Sequence, residues 1–184
     1  MEKHPKISII TPSYNQGKYI REAIESVLVQ NYPNFEHIII DNRSTDTTLN
    51  ILKEYSHLTW ISEPDKGQSD ALNKGFRIAE GELIGWLNAD ERYLPGCFFE
   101  VAEFFKKNKN VDILYGDYRW IDESGEVFQL RKELDFDLFM LKYLHVLYIP
   151  TVASFFHRKI FDEGNFLDVS DHYAMDYEFF LRLE

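Results

Sequence analysis

The sequence predicts an α/β fold in which helices cover both faces of a mostly parallel, Rossmann-like sheet. Three observations indicate this fold: short runs rich in Ile and Leu, amphipathic segments that separate them, and polar residues directly after each run. Strands that alternate with helices form βαβ units, and such units build parallel sheets buried on both faces. The second half of the chain is less regular, so we expect most of the sheet to come from the first half.

The first three predicted strands are separated by two predicted helices. The strands are the apolar runs 7–11, 37–41 and 58–62. Pro12 is expected to end the first strand, because proline has no N–H to donate. The first helix is indicated by residues at the spacing of one buried face: Ile20, Ala23, Ile24, Val27 and Leu28. Ser44 is the predicted N-cap of the second helix, which carries Ile51 and Leu52.

The remaining predicted elements continue this alternation and then lose it. Leu72, Gly75, Phe76 and Ala79 form a third helical face, with Gly81 as its C-terminal cap. A fourth strand covers 83–87, and Pro95 is expected to open a fourth helix. Beyond it we predict a strand at 112–116, a hairpin that pairs 118–121 with 127–130, and a helix at 177–183.

Composition and charge exclude several classes of protein. The 184 residues carry 20 Lys and Arg against 31 Asp and Glu, a formal charge of −11. An acidic surface repels phosphate backbones, so we expect no nucleic-acid partner. The single cysteine, Cys97, rules out an internal disulfide and fits a reducing compartment. No apolar run approaches the roughly 20 residues needed to span a bilayer, so a cytoplasmic protein is expected.

Polar segments follow the first four predicted strands, and they predict a ligand site. In open α/β sheets, ligands bind in the crevice beyond the carboxyl ends of the strands. The sharpest segment follows the fourth strand, where Asp90 and Glu91 stand side by side. Crowded carboxylates need a cation or hydrogen-bond donors nearby, and Mg²⁺ commonly takes one or two carboxylates together with substrate phosphates. A solvated polar turn is the alternative interpretation of the same residues.

Five segments, taken together and in order, resemble family 2 glycosyltransferases of the GT-A fold. The segments are 11–16, 41–48, 63–70, 86–91 and 175–178, and the resemblance runs from about Lys6 to the end of the chain. Within the family, the sequence looks most like bacterial enzymes that build O-antigen and capsular polysaccharides. The resemblance implies a single domain over residues 1–184, with a nucleotide-binding half at about 1–116 and an acceptor-side half at about 117–184. It also leads us to expect that the chain is truncated at its C-terminus.

The resemblance implies a donor site made from the ends of several strands. The residues concerned are Thr11, Pro12 and Tyr14 for the uracil pocket, Asp41 for the uracil or ribose, and Asp65 and Lys66 for the ribose or diphosphate. Asn88 and Asp90 match the first and last positions of the family's Asp-x-Asp motif, whose last carboxylate contacts a divalent metal, Mn²⁺ or Mg²⁺. Asp176 matches the catalytic base, although an acidic residue in the first turn of a helix also has a purely structural interpretation.

The activity implied by the resemblance is inverting, metal-assisted transfer of a hexose. The resemblance implies a nucleotide-sugar donor, specifically a UDP-sugar, and an acceptor hydroxyl on a glycan or lipid-linked glycan. A metal can stabilise the charge that develops on the leaving diphosphate, and a carboxylate can take the acceptor's proton. Relatives that act on lipid-linked glycans imply peripheral contact with the inner face of the cell membrane. The apolar segment 134–149 would suit such contact, but core packing is the favoured interpretation.

Two other functions stay open. Arg43 stands where the family usually has a small or acidic residue, and Glu91 stands where Asp is usual, so a non-catalytic module that binds a nucleotide-sugar or glycan is the first alternative. A sugar-nucleotide pyrophosphorylase is the second, but its Gly-rich, Arg-containing loop after the first strand is missing from 12–16. His172, four residues before Asp176, is a weaker candidate for a group near the metal or acceptor.

Overall fold

The computed structural model describes residues 4–145, 147–171 and 173–183. The strands in this part of the chain are β1 (Ile7–Ser13), β2 (Phe35–Asp41), β3 (Leu58–Ser62), β4 (Leu83–Trp86), β5 (Ile113–Tyr115), β6 (Tyr118–Ile121), β7 (Val127–Arg131) and β8 (Ser154–His157). The helices are α1 (Ile20–Leu28), α2 (Thr48–Leu52), α3 (Gln68–Ile78), α4 (Cys97–Lys107), α5 (Leu138–Tyr143), α6 (Lys159–Asp162) and α7 (Met175–Arg182). A 3₁₀ turn covers Thr151–Ala153.

Six strands form one sheet in the order β3-β2-β1-β4-β8-β5, and β6 pairs with β7 in a separate hairpin. The pairs β1–β2, β1–β4 and β2–β3 are parallel, whereas β8 is antiparallel to both β4 and β5. Strand β5 therefore runs in the same direction as β4. The carboxyl ends of β1 to β5 meet at one edge of the sheet, which we call the carboxyl edge.

The core has a layer on each face of the sheet because neighbouring strand residues point to opposite faces. On one face, Ile10 and Phe156 pack with Phe76 of α3 and Phe179 of α7. On the other face, the core comes from α1, α4 and the intervening strand residues: Ile7, Ile9, Ala23, Val27, Phe98, Val101, Phe105 and Phe155. Burying each such large apolar side chain stabilises the fold by about 1.5–3 kcal/mol. The predicted α/β class with a mostly parallel sheet is confirmed.

Strand β8 was not among the predicted elements, and β1 is longer than predicted. β8 has only four residues, three of them buried, so its sequence shows no period that separates it from a loop. β1 continues through Pro12 to Ser13, which corrects the expectation that Pro12 ends it. The main chain of Ile10 accepts a hydrogen bond from Leu87 N (3.0 Å), and β4 ends at Trp86. The backbone nitrogen of Pro12 points to the β4 side, as the main chain of Ile10 does. Because β4 has already ended there, the N–H that Pro12 lacks has no strand acceptor to bond to.

Two predicted helix boundaries are wrong for local reasons. Helix α3 ends with Ala79 as its C-cap, and Gly81 lies beyond it. A Cβ on Gly81 would lie 2.5 Å from Ser8 Oγ and 2.6 Å from Ser8 N, so this glycine permits close packing on β1. Helix α4 begins at Cys97 and not at Pro95, with Gly96 at the N-cap position at a φ of 88°.

The irregular second half contains the predicted hairpin and an exposed apolar segment. The hairpin of β6 and β7 is confirmed, with Tyr118 opposite Arg131. Core packing is the wrong interpretation for much of 134–149, because five large side chains there are more than half exposed: Leu134, Phe136, Phe139, Tyr143 and Leu144. Leu141, Tyr148 and Ile149 of the same segment are buried. Within the described residues, no helix has the length and apolar character to cross a membrane.

Candidate functional site

A cavity of about 470 Å³ opens at the carboxyl edge, where β1 lies between β2 and β4. Its lining comes from the loops after four strands: Pro12, Ser13, Tyr14 and Gln16 after β1, Asn42 after β2, Asp65, Gly67, Gln68 and Ala71 after β3, and Asn88, Ala89 and Asp90 after β4. Connections leave β1 and β4 in different directions along the sheet, which makes this the topological switch point. The crevice predicted from the polar strand ends is therefore present.

The loops after β1 and β2 are joined by hydrogen bonds. Asn15 N donates to Ser44 Oγ (2.8 Å), and Asn15 Oδ1 accepts from Thr45 N (2.8 Å). Asn15 and Arg43 both have left-handed backbone conformations, with φ of 53° and 50°. Asparagine adopts this conformation readily, but for arginine it costs roughly 1–2 kcal/mol. The bonds between the loops stabilise that conformation beside the cavity.

Asp41 is the last residue of β2, and its carboxylate binds groups in the interior of the protein. Its side chain has no exposed surface. The carboxylate accepts from Ser44 N (2.9 Å) and Ser62 Oγ (2.7 Å), and Ser44 Oγ donates to its other oxygen. Ser44 is thus a loop residue bound to Asp41 and not the predicted cap, because α2 begins at Thr48. The contact between Asp41 and uracil or ribose stays a prediction, and Asp41 lies behind the wall that the cavity presents.

The three residues predicted for a uracil pocket have different environments. Pro12 and Tyr14 line the cavity, and Tyr14 is 58% exposed. Thr11 is fully buried, with its hydroxyl 2.9 Å from His37 Nε2. Burial lowers the pKa of His37 to about 3, so the ring is neutral at physiological pH. Tyr14 therefore offers an open ring face for a base, whereas Thr11 supports the strand beneath it.

The turn after β3 holds Asp65 at the cavity wall. Asp65 N donates to Asn42 Oδ1 (3.1 Å), and Asp65 Oδ1 accepts from Gly67 N (2.9 Å). Burial raises the pKa of Asp65. Lys66 is exposed, and its backbone N donates to Asp70 Oδ2 (3.1 Å). Asp65 lines the cavity, and its neighbour Lys66 lies on the outer side of the turn.

The hydrogen bonds of Asn88 fix the orientation of its amide. Asn88 Oδ1 accepts from Gln68 Nε2 (2.7 Å) and from Trp86 Nε1 (2.9 Å). These two donors use both lone pairs of the oxygen, which assigns the free Nδ2 as a donor. Asn88 is therefore suited to bind an oxygen atom of a ligand and not a metal ion.

Asp90 is the exposed carboxylate of this wall, and Glu91 is its half-buried neighbour. Glu91 Oε2 accepts from Asn88 N (2.8 Å), and burial raises the pKa of Glu91 to about 7. Among the described residues, no three His, Cys, Asp or Glu side chains are grouped to hold a metal ion. Mg²⁺ and similar cations need few protein ligands when phosphates supply the others. Asp90 fits a cation that a diphosphate shares.

Helix α7 brings Asp176 to the side of α3. Ser69, in the first turn of α3, donates to Met175 Sδ (2.9 Å) at the first residue of α7. The amide of Asn73 bonds to both Leu167 O (2.8 Å) and Leu167 N (2.9 Å). Asp176 is half-buried in the first turn of α7, and it is not among the residues that line the cavity. His172 lies outside the described residues.

Two residues that orient Asn88 had no predicted role in the site. Gln68 and Trp86 both bond to Asn88, although 20 residues separate Gln68 from Asn88. Both lie inside the segments that predicted the site, at 63–70 and 86–91. Their presence in those segments was the available signal. No periodicity or spacing in the sequence shows that the side chains of Gln68 and Trp86 both bond to Asn88.

Comparisons with known proteins agree with this architecture. The family model described as "Glycosyl transferase family 2" matches residues 8–164. An uncharacterized glycosyltransferase of Rickettsia felis is 30% identical over 190 residues, covering 97% of this chain and 31% of that protein. S. aureus TarS in complex with UDP has a TM-score of 0.74 at 21% identity, over 95% of this chain and 53% of that chain.

A second solved structure is similar at lower identity. The mannosyltransferase PcManGT from Pyrobaculum calidifontis, in complex with GDP-Man and Mn²⁺, has a TM-score of 0.67 at 19% identity. It covers 96% of this chain and 51% of that chain. This chain therefore spans about half the length of each of the two solved chains and less than a third of the Rickettsia protein. The two structures support the fold.

Proposed function

The chain belongs to glycosyl transferase family 2, and on that basis we propose that it transfers a hexose from a UDP-sugar to an acceptor hydroxyl with inversion. The acceptor is a glycan or lipid-linked glycan. The observation that carries the proposal is the 470 Å³ cavity at the switch point, because it combines an open tyrosine ring, an amide donor and an exposed carboxylate. Residues 1–116 supply the donor side, and residues 117–184 supply the acceptor side.

The donor nucleotide lies across the ends of β1, β2 and β4. Tyr14 stacks on the base, and Asp65 accepts a hydrogen bond from the ribose. The Nδ2 of Asn88 donates to a phosphate oxygen, because its Oδ1 is already bound by Gln68 and Trp86. Complexes of the two structural relatives contain UDP in one case and GDP-Man with Mn²⁺ in the other, which supports a nucleotide in this crevice.

Asp90 is the residue that would hold a divalent metal, Mn²⁺ or Mg²⁺, together with the diphosphate. Such an ion supplies charge stabilisation to the leaving diphosphate. With a single exposed carboxylate on the protein side, Asp90 binds the ion well only when a diphosphate is present. The surrounding donors, including Asn88, orient the phosphates toward this carboxylate.

Asp176 takes the proton from the attacking hydroxyl. It lies in the first turn of α7, and the preceding residue, Met175, contacts Ser69 in the first turn of α3. A base on the face opposite the leaving group gives inversion in one displacement, without a protein nucleophile. Transfer of the hexose to a lipid-linked acceptor would take place at the inner face of the cell membrane.

Titration of UDP into the protein by calorimetry tests the donor site. With Mn²⁺ present we expect micromolar binding, and removal of the metal should weaken it. Asp90→Ala should weaken binding in Mn²⁺ at least tenfold, which is about 1.4 kcal/mol. Glu100→Ala, an exposed carboxylate on α4, is the matched control and should bind normally. Equal binding by Asp90→Ala and the unchanged protein would exclude the proposed metal site.

Asp176→Asn separates catalysis from binding. General-base catalysis contributes about 10²–10⁴-fold, so we expect hexose transfer to fall by that factor. UDP should bind Asp176→Asn as tightly as it binds the unchanged protein, because Asp176 does not contact the nucleotide. Normal transfer by this variant would contradict the role of Asp176 as the base. UDP binding without any donor turnover in the unchanged protein would favour the non-catalytic module instead.

A further inference from the structure

A second cavity lies at the carboxyl edge, beside the free edge of β5. Its volume is about 370 Å³, and its walls are β5 with the following turn, the segment 133–136 and one side chain of α4. Two hydrogen bonds hold the segment against the strand. Tyr115 Oη donates to Leu134 O (2.7 Å), and Glu133 N donates to Asp117 Oδ1 (3.1 Å). The cavity is therefore formed by ordered contacts at the base of the hairpin, and we call it the β5 cleft.

The β5 cleft combines aromatic rings with carboxylates. Phe104 and Tyr115 are half-buried in it, and Phe136 is 54% exposed. Asp117, Glu133 and Asp135 line the same space, and the described lining residues include no cation. Carboxylate oxygens accept hydrogen bonds from hydroxyl groups, and ring faces pack against C–H surfaces. A saccharide presents both kinds of group on one small molecule.

The charge of the β5 cleft restricts which saccharide it can take. Three carboxylates within one cavity repel an anionic ligand, and the chain as a whole carries a formal charge of −11. A uronate or phosphate group would have to enter without a cation to pair with it. An uncharged sugar has no such cost.

The position of the β5 cleft relates it to the donor cavity. The carboxyl ends of β4 and β5 lie at the same edge, with only β8 between them in the sheet. Two strand spacings correspond to about 10 Å. A ligand in the β5 cleft could therefore extend along the edge toward Asp90 after β4, provided that it is longer than a single sugar.

From these observations we propose that the β5 cleft is a distal subsite for an uncharged acceptor glycan. This inference rests on the proposed transfer function, because that function supplies the reason for a glycan to lie along the carboxyl edge. The subsite holds sugar units remote from the reacting hydroxyl. It favours neutral chains over those that carry uronate or phosphate groups.

Binding of defined oligosaccharides to the full chain, without any donor present, tests the subsite. The probes are cellotetraose and chitotetraose as neutral glycans, tetragalacturonate as an anionic glycan, and spermine as a cation without a sugar. We expect saturable binding of at least one neutral tetrasaccharide by calorimetry or NMR, and at least tenfold weaker binding of tetragalacturonate. Asp135→Asn and Phe136→Ala, both at exposed positions, should each weaken neutral binding several-fold.

Matched variants on the hairpin provide the control. Glu126→Gln and Phe128→Ala change an exposed carboxylate and an exposed ring outside the β5 cleft, and they should bind the neutral probe normally. The proposal is overturned if no neutral tetrasaccharide binds at millimolar concentration, if the cleft variants bind as the unchanged protein does, or if tetragalacturonate binds equally well. Binding of spermine without neutral sugar would identify a cation site and overturn it too.

The same experiment distinguishes failure of the subsite from failure of the donor site. UDP titrations of Asp135→Asn and Phe136→Ala should match those of the unchanged protein. If the unchanged protein binds the neutral tetrasaccharide but does not bind UDP, the proposed function is contradicted and the β5 cleft remains a glycan site. Normal UDP binding with no neutral glycan bound would contradict the subsite alone.

Discussion

The two ends of the carboxyl edge are built in different ways. Around β1, β2 and β4, polar side chains bond mainly to each other, as Asp41 does with two serines and Asn88 with Gln68 and Trp86. Around the hairpin and α5, large apolar side chains are exposed, and every residue of β7 is at the surface. The first region has its geometry fixed before a ligand arrives. The second region offers surface that a ligand or partner can still cover.

The largest expected difference between the regions comes from two aspartates that accept backbone N–H groups. Asp41 is buried and ties β2 to the loop after it, whereas Asp137 is exposed and caps α5 by accepting from Phe139 N (2.8 Å) and Met140 N (3.2 Å). Asp41→Ala leaves several buried donors unpaired and should lower the free energy of unfolding by about 3–5 kcal/mol. Asp137→Ala should lower it by about 0.5–2 kcal/mol.

Chemical denaturation of both variants measures this difference. Asp41→Asn serves as a control that keeps the size of the side chain and part of its hydrogen bonding, so its loss should be smaller than that of Asp41→Ala. Equal losses for Asp41→Ala and Asp137→Ala would mean that the donor side is no more tightly built than the hairpin side.

A smaller effect is expected from His37, which lies in β2 under the donor region. Its folded pKa of about 3 is below the ordinary value of 6.5, so the unfolded state binds the proton more readily. Stability from this group is therefore complete above pH 6.5 and is lost as the pH falls from 6.5 toward 3. Between pH 6.5 and 4 the loss should be roughly 2–3 kcal/mol.

His37→Gln should flatten this acid dependence, as measured by the midpoint of denaturation at each pH. If the loss of stability at low pH is as large in His37→Gln as in the unchanged protein, groups other than His37 cause that loss.

The sequence predicted the donor region better than the hairpin region, and the reason is physical. Buried strands and amphipathic helices repeat with a fixed period, so β1 to β4, α1 and α3 could be predicted from local patterns. The polar residues after those strands then predicted where the cavity would be, because parallel strands end at one edge. Pro12, Tyr14, Asp65, Asn88 and Asp90 do line that cavity.

What could not be predicted depends on contacts between distant parts of the chain. Strand β8 is inserted between β4 and β5 although it follows them by more than 35 residues, and its four residues show no period. The burial of Thr11 and Asp41 depends on partners in β2, β3 and the loop after β2. The apolar segment 134–149 was expected in the core because composition alone does not distinguish a buried segment from an exposed one.

Pro12 limits how far the sheet can grow beside the donor cavity. Beyond Trp86, β4 would have to pair with the main chain of Pro12 to continue, and a proline has no N–H to join that ladder. The chain after β4 is thus free to leave the sheet and carry Asn88 and Asp90 to the cavity wall. One proline ring near the end of the central strand β1 thus keeps β4 from extending across the crevice.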